Sequence, residues 1–279
     1  YVMDGDEVIQ CRGRGVFRKQ KVSPLVGDMV DFQAENPTDG YIMEIKERKN
    51  ELVRPPIANV DQAILVFSAV EPDFSTGLLD RFLVLVESKE IAPVICISKV
   101  DLLDTFGLSR IEEYAEHYRK IGYEVVLTSS IEETGITDLM PFISGKTSVF
   151  AGQSGVGKSS LLNALDPELN LKTSEISSHL GRGKHTTRHV ELISIGDGLI
   201  ADTPGFSSLE FTELEAVELS DCFPEMRENS SECKFRGCMH VKEPKCAVKE
   251  AVSLGYPELQ AHKVSAVSSV YIKIDKTVV

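Results

Sequence analysis

The residues Gly152-Gln153-Ser154-Gly155-Val156-Gly157-Lys158-Ser159 have the spacing of a phosphate cradle, G-x-x-x-x-G-K-[ST]. The glycines let successive backbone N–H groups turn onto phosphate oxygens, and a helix opening at Lys158 adds the positive end of its dipole. Lys158 neutralises β- and γ-oxygens, which makes it a candidate for catalysis as well as binding. Ser159 offers a hydroxyl to Mg²⁺, with Ser160 beside it in the same turn. About fifty residues on, Asp202-Thr203-Pro204-Gly205 follows the apolar run 199–201. Asp202 then stands at a strand end, near the metal, and the Gly205 N–H is available to a γ-phosphate. Between them, Gly181-Arg182-Gly183-Lys184-His185-Thr186-Thr187-Arg188 is a polar loop able to close over that phosphate, with Thr186 or Thr187 reaching the metal. Ser159, Thr187 and Asp202 form the expected magnesium set.

A second group reads the base. Ser98-Lys99-Val100-Asp101 ends the apolar run 94–97 and resembles the [NT]-K-x-D motif of GTPases. The Asp101 carboxylate accepts from guanine N1–H and N2–H₂, a demand adenine cannot meet, and the Lys99 stem can lie over the ring. Thr128-Ser129-Ser130, after the next apolar run, resembles the loop whose backbone N–H meets guanine O6, so Ser129 and Ser130 join the candidate contacts. Ser98 stands where Asn is usual, which puts that residue's bonds to base and phosphate loop in question; weaker binding with retained specificity is expected.

In ordinary GTPases the phosphate loop comes first and the base motifs last. Here 98–101 and 128–130 precede 152–159, 181–188 and 202–205, so the chain is circularly permuted. A site built at the carboxyl ends of parallel strands survives such a reordering. The segment after Gly205 then leads straight into the C-terminal part of the chain.

The chain resembles the RsgA family of circularly permuted GTPases that assist maturation of the small ribosomal subunit. The likeness runs through Pro24-Leu25-Val26-Gly27-Asp28, Arg54-Pro55-Pro56-Ile57-Ala58-Asn59-Val60-Asp61-Gln62, Leu79-Asp80-Arg81-Phe82-Leu83, the phosphate loop, Gly183-Lys184-His185-Thr186-Thr187 and a C-terminal cysteine cluster. It implies an N-terminal OB-fold, a permuted GTPase domain and a C-terminal zinc-binding domain. It also implies GTP and GDP as ligands, the 30S subunit and 16S rRNA as partners, and His185 as the residue that orients the attacking water. Phe206 occupies the place after D-T-P-G where many GTPases carry a water-orienting Gln, so turnover should be slow until a partner stimulates it. The tail beyond about residue 259 departs from the family's terminal helix.

Cys233, Cys238, His240 and Cys246 supply three thiols and an imidazole within fourteen residues, a complete tetrahedral set for one structural Zn²⁺. Lys234, Arg236, Lys242, Lys245 and Lys249 stud this stretch. At the other end of the chain Arg12, Arg14, Arg18, Lys19 and Lys21 surround Phe17 with no acid among them, as cations and an aromatic platform do on nucleic-acid-binding OB-folds. RNA contact is expected at Arg12, Arg14, Phe17, Arg18, Lys19, Lys21, Lys234 and Arg236; a merely solvated basic hairpin is the plainer alternative.

Elements must hold these groups in place. Short strands are expected at 7–11, 16–17, 29–33 and 41–45, broken by Gly, Pro and Asp-Gly turns, and five such strands would make a small barrel. Apolar runs at 63–67, 93–97, 124–127 and 147–150 alternate with helical stretches at 78–88, 111–121 and 159–165, and strands follow at 190–195 and 199–201. This predicts a multidomain α/β protein whose parallel sheet carries helices on both faces. The expected domains are 1–54, 55–211 and 212–279.

The 279 residues allow two or three compact units, and 42% apolar with 26% charged residues, 20 Gly and 12 Pro exclude a collagen-like or disordered chain. The formal charge of −13, from 30 basic and 43 acidic side chains, disfavours indiscriminate nucleic-acid binding, DNA included, and confines polyanion contact to local patches. No apolar run reaches the roughly 18 residues of a membrane span. The first residues carry neither a basic nor an apolar signal region, so a cytoplasmic location is expected. A monomer is expected as well. Two other functions compete: an RNA-binding checkpoint protein in which guanine nucleotide is mainly a ligand, and a P-loop kinase, which offers no role for Lys99-Val100-Asp101.

Overall fold

The structure, a computed structural model, describes residues 1–5, 7–53, 55–169, 171, 190–202, 214 and 216–254. The expectations at 181–188, at 203–206 and in the tail beyond 259 lie outside the described residues.

The N-terminal part comprises β1 (Val2–Asp4), β2 (Glu7–Ile9), β3 (Cys11–Gly13), α1 (Gly15–Gln20), β4 (Val30–Asn36) and β5 (Asp39–Ile45), followed by β6 (Glu51–Leu52) and β7 (Ile57–Ala58). β1 and β2 form an antiparallel hairpin, and β5 lies between β3 and β4. β6 pairs with β7, and a bridge from Val26 to Ile57 ties that pair to the segment before β4. Val16 and Phe17, expected in a strand, lie in α1 instead. The run from Arg18 to Gln20 favours helix, and the helix turns Phe17 inward over Gly13, where an added methyl would sit 3.6 Å from its ring.

Next come β8 (Gln62–Ser68), α2 (Thr76–Glu87), β9 (Ala92–Ser98), α3 (Thr105–Ile121), β10 (Glu124–Leu127), α4 (Met140–Ile143), β11 (Thr147–Ala151), α5 (Lys158–Leu165), β12 (Glu191–Ile195) and β13 (Gly198–Asp202). They build a six-stranded sheet in the order β10-β9-β8-β11-β13-β12. β8 is buried along its whole length, and its alternate residues face opposite ways. Ala63, Leu65 and Phe67 pack in one cluster with Leu79, Phe82 and Ile111 of α2 and α3. Ile64 and Val66 pack in another with Ile143, Leu161 and Leu162 of α4 and α5. Helices therefore cover both faces, as a two-sided apolar strand requires. The sheet is mixed, not wholly parallel: β12 runs antiparallel to β13 because Gly196-Asp197 makes a two-residue hairpin with Gly196 at φ +60.

The last elements are α6 (Pro224–Ser230) and α7 (Ala247–Ser253). They enclose a third cluster in which Leu219, Phe223, Met226 and Val248 meet Val84 of α2. Arg227 adds an ion pair to Glu87 of α2 at 3.3 Å, so the C-terminal part is seated on that helix.

Candidate functional site

Chain order and strand order together locate the site. From β8 the chain moves outward to β9 and β10, then returns to β11 on the other side of β8 and moves outward to β13. The crevice where direction reverses, between the carboxyl ends of β8 and β11, is where open α/β sheets bind ligands. The phosphate loop springs from β11 at that point. β9 ends on Ser98, followed by Lys99, Val100 and Asp101; β10 leads into Thr128, Ser129 and Ser130; β13 ends on Asp202. Sequence-predicted groups from four strands thus share one end of the sheet.

Hydrogen bonds join these strand ends. The Ser98 hydroxyl is buried and donates to the Val156 carbonyl at 2.6 Å, with the Phe67 carbonyl 3.2 Å away. Val100 N–H donates to Thr128 O, and Thr128 N–H to Ile97 O, which ties the two base motifs to each other. Within the second loop, Ser129 N–H donates to Thr134 O, and the Ser129 hydroxyl accepts from Glu132 N–H. The Ser129 amide is thereby used inside the loop. Lys99 adopts a left-handed φ of 61, and its ammonium donates to the Glu71 carbonyl in the loop before α2. Glu71 escaped sequence reasoning, since nothing in its spacing from Lys99 signals the contact.

The loop 152–157 is shaped for close approach. Gly152 has φ +146, and a Cβ there would lie 2.1 Å from the Val66 carbonyl of β8, so glycine is required. Gly157 caps α5, whose first residues are Lys158 and buried Ser159. The Lys158 ammonium donates to the carbonyls of Gly152 and Gln153, each at 2.7 Å. Burial pulls its pKa down to about 8. An ammonium held on neutral carbonyls and short of counter-charge is poised for an anion. Val156 is buried, Ser154 and Gly155 are exposed, and Gln153 and Ser160 are half-buried at the rim. His185, Thr186, Thr187 and Gly205 lie outside the described residues, as does the side chain of Asp202.

The second site is the cysteine cluster. The ligand atoms of Cys233, Cys238, His240 and Cys246 all lie within 4.8 Å of one another. Measured edges are 3.7 Å from Cys233 Sγ to His240 Nδ1, 4.0 Å from Cys233 Sγ to Cys246 Sγ and 3.2 Å from His240 Nδ1 to Cys246 Sγ. A tetrahedron with metal–sulfur bonds of about 2.3 Å has edges near 3.8 Å, so the set fits a metal. Disulfides do not fit, because a sulfur pair 4.0 Å apart is about twice the bonded length. Burial raises the Cys238 thiol and pushes Cys246 up to about 11, while it holds His240 toward the neutral imidazole a metal needs. Four such ligands leave no open position, which marks a structural centre.

Glu243, missed in the sequence, organises the surrounding loop. Its carboxylate accepts from the backbone N–H of Met239, Val241 and Lys242 at 3.1, 2.9 and 3.0 Å. Its own backbone N–H, and then those of Met239, Lys242 and Val241, hold its pKa below the usual carboxylate range.

Of the residues predicted to face RNA, Arg12, Arg14, Lys19 and Lys21 are exposed, as are Lys234 and Arg236, while the side chain of Arg18 lies outside the description. Phe17 is a correction. Its ring is only 7% exposed, packed inward by α1, and it cannot serve as a stacking platform.

Comparison with known proteins agrees with this geometry. Residues 45–212 match the RsgA GTPase family, and residues 1–42 match the RsgA N-terminal domain. The chain is 68% identical over 253 residues to the small ribosomal subunit biogenesis GTPase RsgA of Bacillus subtilis (strain 168), covering 90% of this chain and 85% of that protein. It is 66% identical over 255 residues to the protein of the same name from Geobacillus sp. (strain WCH70), covering 91% and 87%. Among solved structures it resembles YloQ, a circularly permuted GTPase, with a TM-score of 0.83, 57% identity and coverage of 99% and 89%. YjeQ from Thermotoga maritima follows with a TM-score of 0.82, 38% identity and coverage of 95% and 89%. With its base motifs ahead of its phosphate loop and both meeting at one sheet end, the chain belongs to the RsgA family of circularly permuted GTPases.

Proposed function

We propose that the chain is a GTP-hydrolysing factor that binds the small (30S) ribosomal subunit, assists its late maturation, and leaves after GTP becomes GDP. The observation that carries the nucleotide part is the bond from Ser98 to the Val156 carbonyl, which fixes the base-reading strand end onto the phosphate loop. The ribosomal part is supported by relatives named small ribosomal subunit biogenesis GTPases at 68% and 66% identity.

In this reading Asp101 accepts from guanine N1–H and N2–H₂, the Lys99 stem borders the base, and Ser130 N–H meets O6. The amides of the phosphate loop receive the phosphates, and Lys158 exchanges the carbonyls of Gly152 and Gln153 for phosphate oxygens. Ser159, Thr187 and Asp202 would hold Mg²⁺, which would supply counter-charge to the phosphates. His185 orients the water, since Phe206 has no polar atom to do so. Zinc is the metal that three thiols and one imidazole favour, and its role is to lock the C-terminal loop.

The units are taken as 1–54, 55–211 and 212–279. Arg12, Arg14, Arg18, Lys19 and Lys21 at one end, with Lys234 and Arg236 at the other, meet phosphates of 16S rRNA, while the acidic remainder resists binding to DNA. Among the described residues no helix is long and apolar enough to cross a membrane. In this reading the chain is a monomer that works on ribosomal particles in the cytoplasm.

The deciding experiment is GTP turnover with and without purified small subunits. Slow intrinsic turnover that rises with added subunits is expected, and turnover indifferent to them would remove the ribosomal role. Phe206 favours a second reading, a checkpoint protein for which nucleotide is only a ligand. Equal release rates from the subunit with GTP and with a non-hydrolysable analogue would select it.

A further inference from the structure

We infer that the loop closed by the metal cluster is a platform for unpaired RNA bases, with Phe235 as its stacking ring. This rests on the reading of a structured RNA as partner and adds a recognition mode to it.

Ligands and surface residues alternate along this loop. Cys238 and His240 are buried, whereas the intervening Met239 and the following Val241 are exposed. Phe235, in the short segment between Cys233 and Cys238, is 44% exposed. Three apolar side chains therefore stand in water around a point where four ligand atoms lie within 4.8 Å of one another.

Charge selects the partner. Lys234, Arg236, Lys242 and Lys245 are exposed on the same stretch, in a chain whose formal charge is −13. The one acid within 234–245 is Glu243, whose carboxylate is turned onto the N–H groups of Met239, Val241 and Lys242. The Lys249 ammonium meets the carbonyls of Val241 and Glu243 at 3.5 and 3.3 Å. These bonds hold the loop before any partner arrives, which lowers the ordering cost of binding. The Lys234 ammonium already lies 5.3 Å above the Phe235 ring, a cation–π contact.

Phosphates alone would be served by the cations and would leave Phe235, Met239 and Val241 without purpose. Unpaired bases use both, since their faces stack on apolar and aromatic groups while neighbouring phosphates meet Lys and Arg. A duplex offers few free base faces, and an acidic protein segment would satisfy only the cations.

The test uses the full, metal-replete chain and two RNA probes of equal charge, a hairpin with 2-aminopurine in its loop and a blunt duplex of the same length. The hairpin is expected to bind more tightly than the duplex, with quenched 2-aminopurine fluorescence. Phe235→Ala should weaken hairpin binding about tenfold or more, abolish the quench and leave the salt dependence unchanged, and Phe235→Tyr should restore the affinity and the quench. Arg236→Ala should lower the salt slope by about one. Metal content and GDP affinity, measured on each variant, establish that the fold and nucleotide site are intact. Equal binding of hairpin and duplex, a Phe235→Ala variant that binds and quenches like the parent, or a preference for polyglutamate over the hairpin would overturn the inference. Each of these outcomes would leave the GTPase reading standing, because that reading fails on loss of guanine nucleotide binding or of stimulation by the subunit.

Discussion

Ser98 Oγ lies 2.6 Å from the Val156 carbonyl oxygen, and this contact joins the end of β9 to the loop that opens α5. A serine thus retains the link to the phosphate loop that the more usual asparagine would make. Ser98→Ala removes the only donor to that carbonyl from β9. A buried hydrogen bond contributes about 1 to 2 kcal/mol, so GDP affinity should fall about five- to thirtyfold with guanine still preferred over adenine. Calorimetric titration of the variant with GDP and ADP checks both statements, and unchanged GDP affinity would show that the contact does not organise the site.

Lys158 gives the site a pH signature. Its nucleotide-free pKa of about 8, lowered by burial, should rise when phosphates supply counter-charge. Below pH 8 the amine is already protonated and affinity is insensitive to it. Above pH 8 binding must take up a proton, so GDP affinity should decline by up to about tenfold per pH unit. In the nucleotide-free protein the linkage has the opposite consequence. The folded pKa lies below the ordinary lysine value of about 10.5, so this residue makes stability rise with pH between about 8 and 10.5. Titrations in buffers of different ionisation enthalpy reveal the proton uptake, and its absence at pH 9 would exclude Lys158 as the phosphate cation.

Much of this site was legible in the sequence because its signals are local. Phosphate-loop spacing and strand-end positions depend on neighbours in the chain, and so do the cysteine ligands. What stayed hidden was set by the course of the backbone, which these residue types do not announce. Phe17 looks like an exposed aromatic among cations, yet six residues of helix turn it over Gly13. The antiparallel edge strand depended on Gly196-Asp197 acting as a hairpin, a turn easily passed over between two apolar runs. Glu243 reads as one more surface acid until its three backbone partners are seen.

Gly152→Ala should be among the most damaging single methyl additions. The new Cβ would meet the Val66 carbonyl at 2.1 Å on a backbone of φ +146, so either β8 or the loop must move. A loss of several kcal/mol of stability, or nucleotide binding reduced beyond detection, is expected. Thermal melts with and without GDP measure it, and a variant melting within a degree of the parent would contradict the geometry.

Metal uptake should release protons. Burial keeps the Cys238 and Cys246 thiols protonated at neutral pH in the metal-free state, so zinc binding at pH 7 should expel at least two protons and tighten as pH rises. Cys238→Ser should lose zinc and loosen the cluster that joins α6 and α7 to Val84. Its GDP affinity should stay close to that of the parent. Proton counting during zinc titration decides the point, and pH-independent uptake would speak against thiol ligation.

His185→Ala should bind GDP and GTP as the parent does while losing most of the turnover stimulated by small subunits. Single-turnover assays with saturating subunits test this, and undiminished stimulation would assign water orientation to another group.

The most direct measurement of the central claim is calorimetric titration of the full chain, with Mg²⁺ present, using GDP, a non-hydrolysable GTP analogue and ATP. One saturable guanine site per chain is predicted, with ATP at least about a hundredfold weaker because adenine leaves Asp101 without its donors. No heat with either guanine nucleotide, or a preference for ATP, would contradict it.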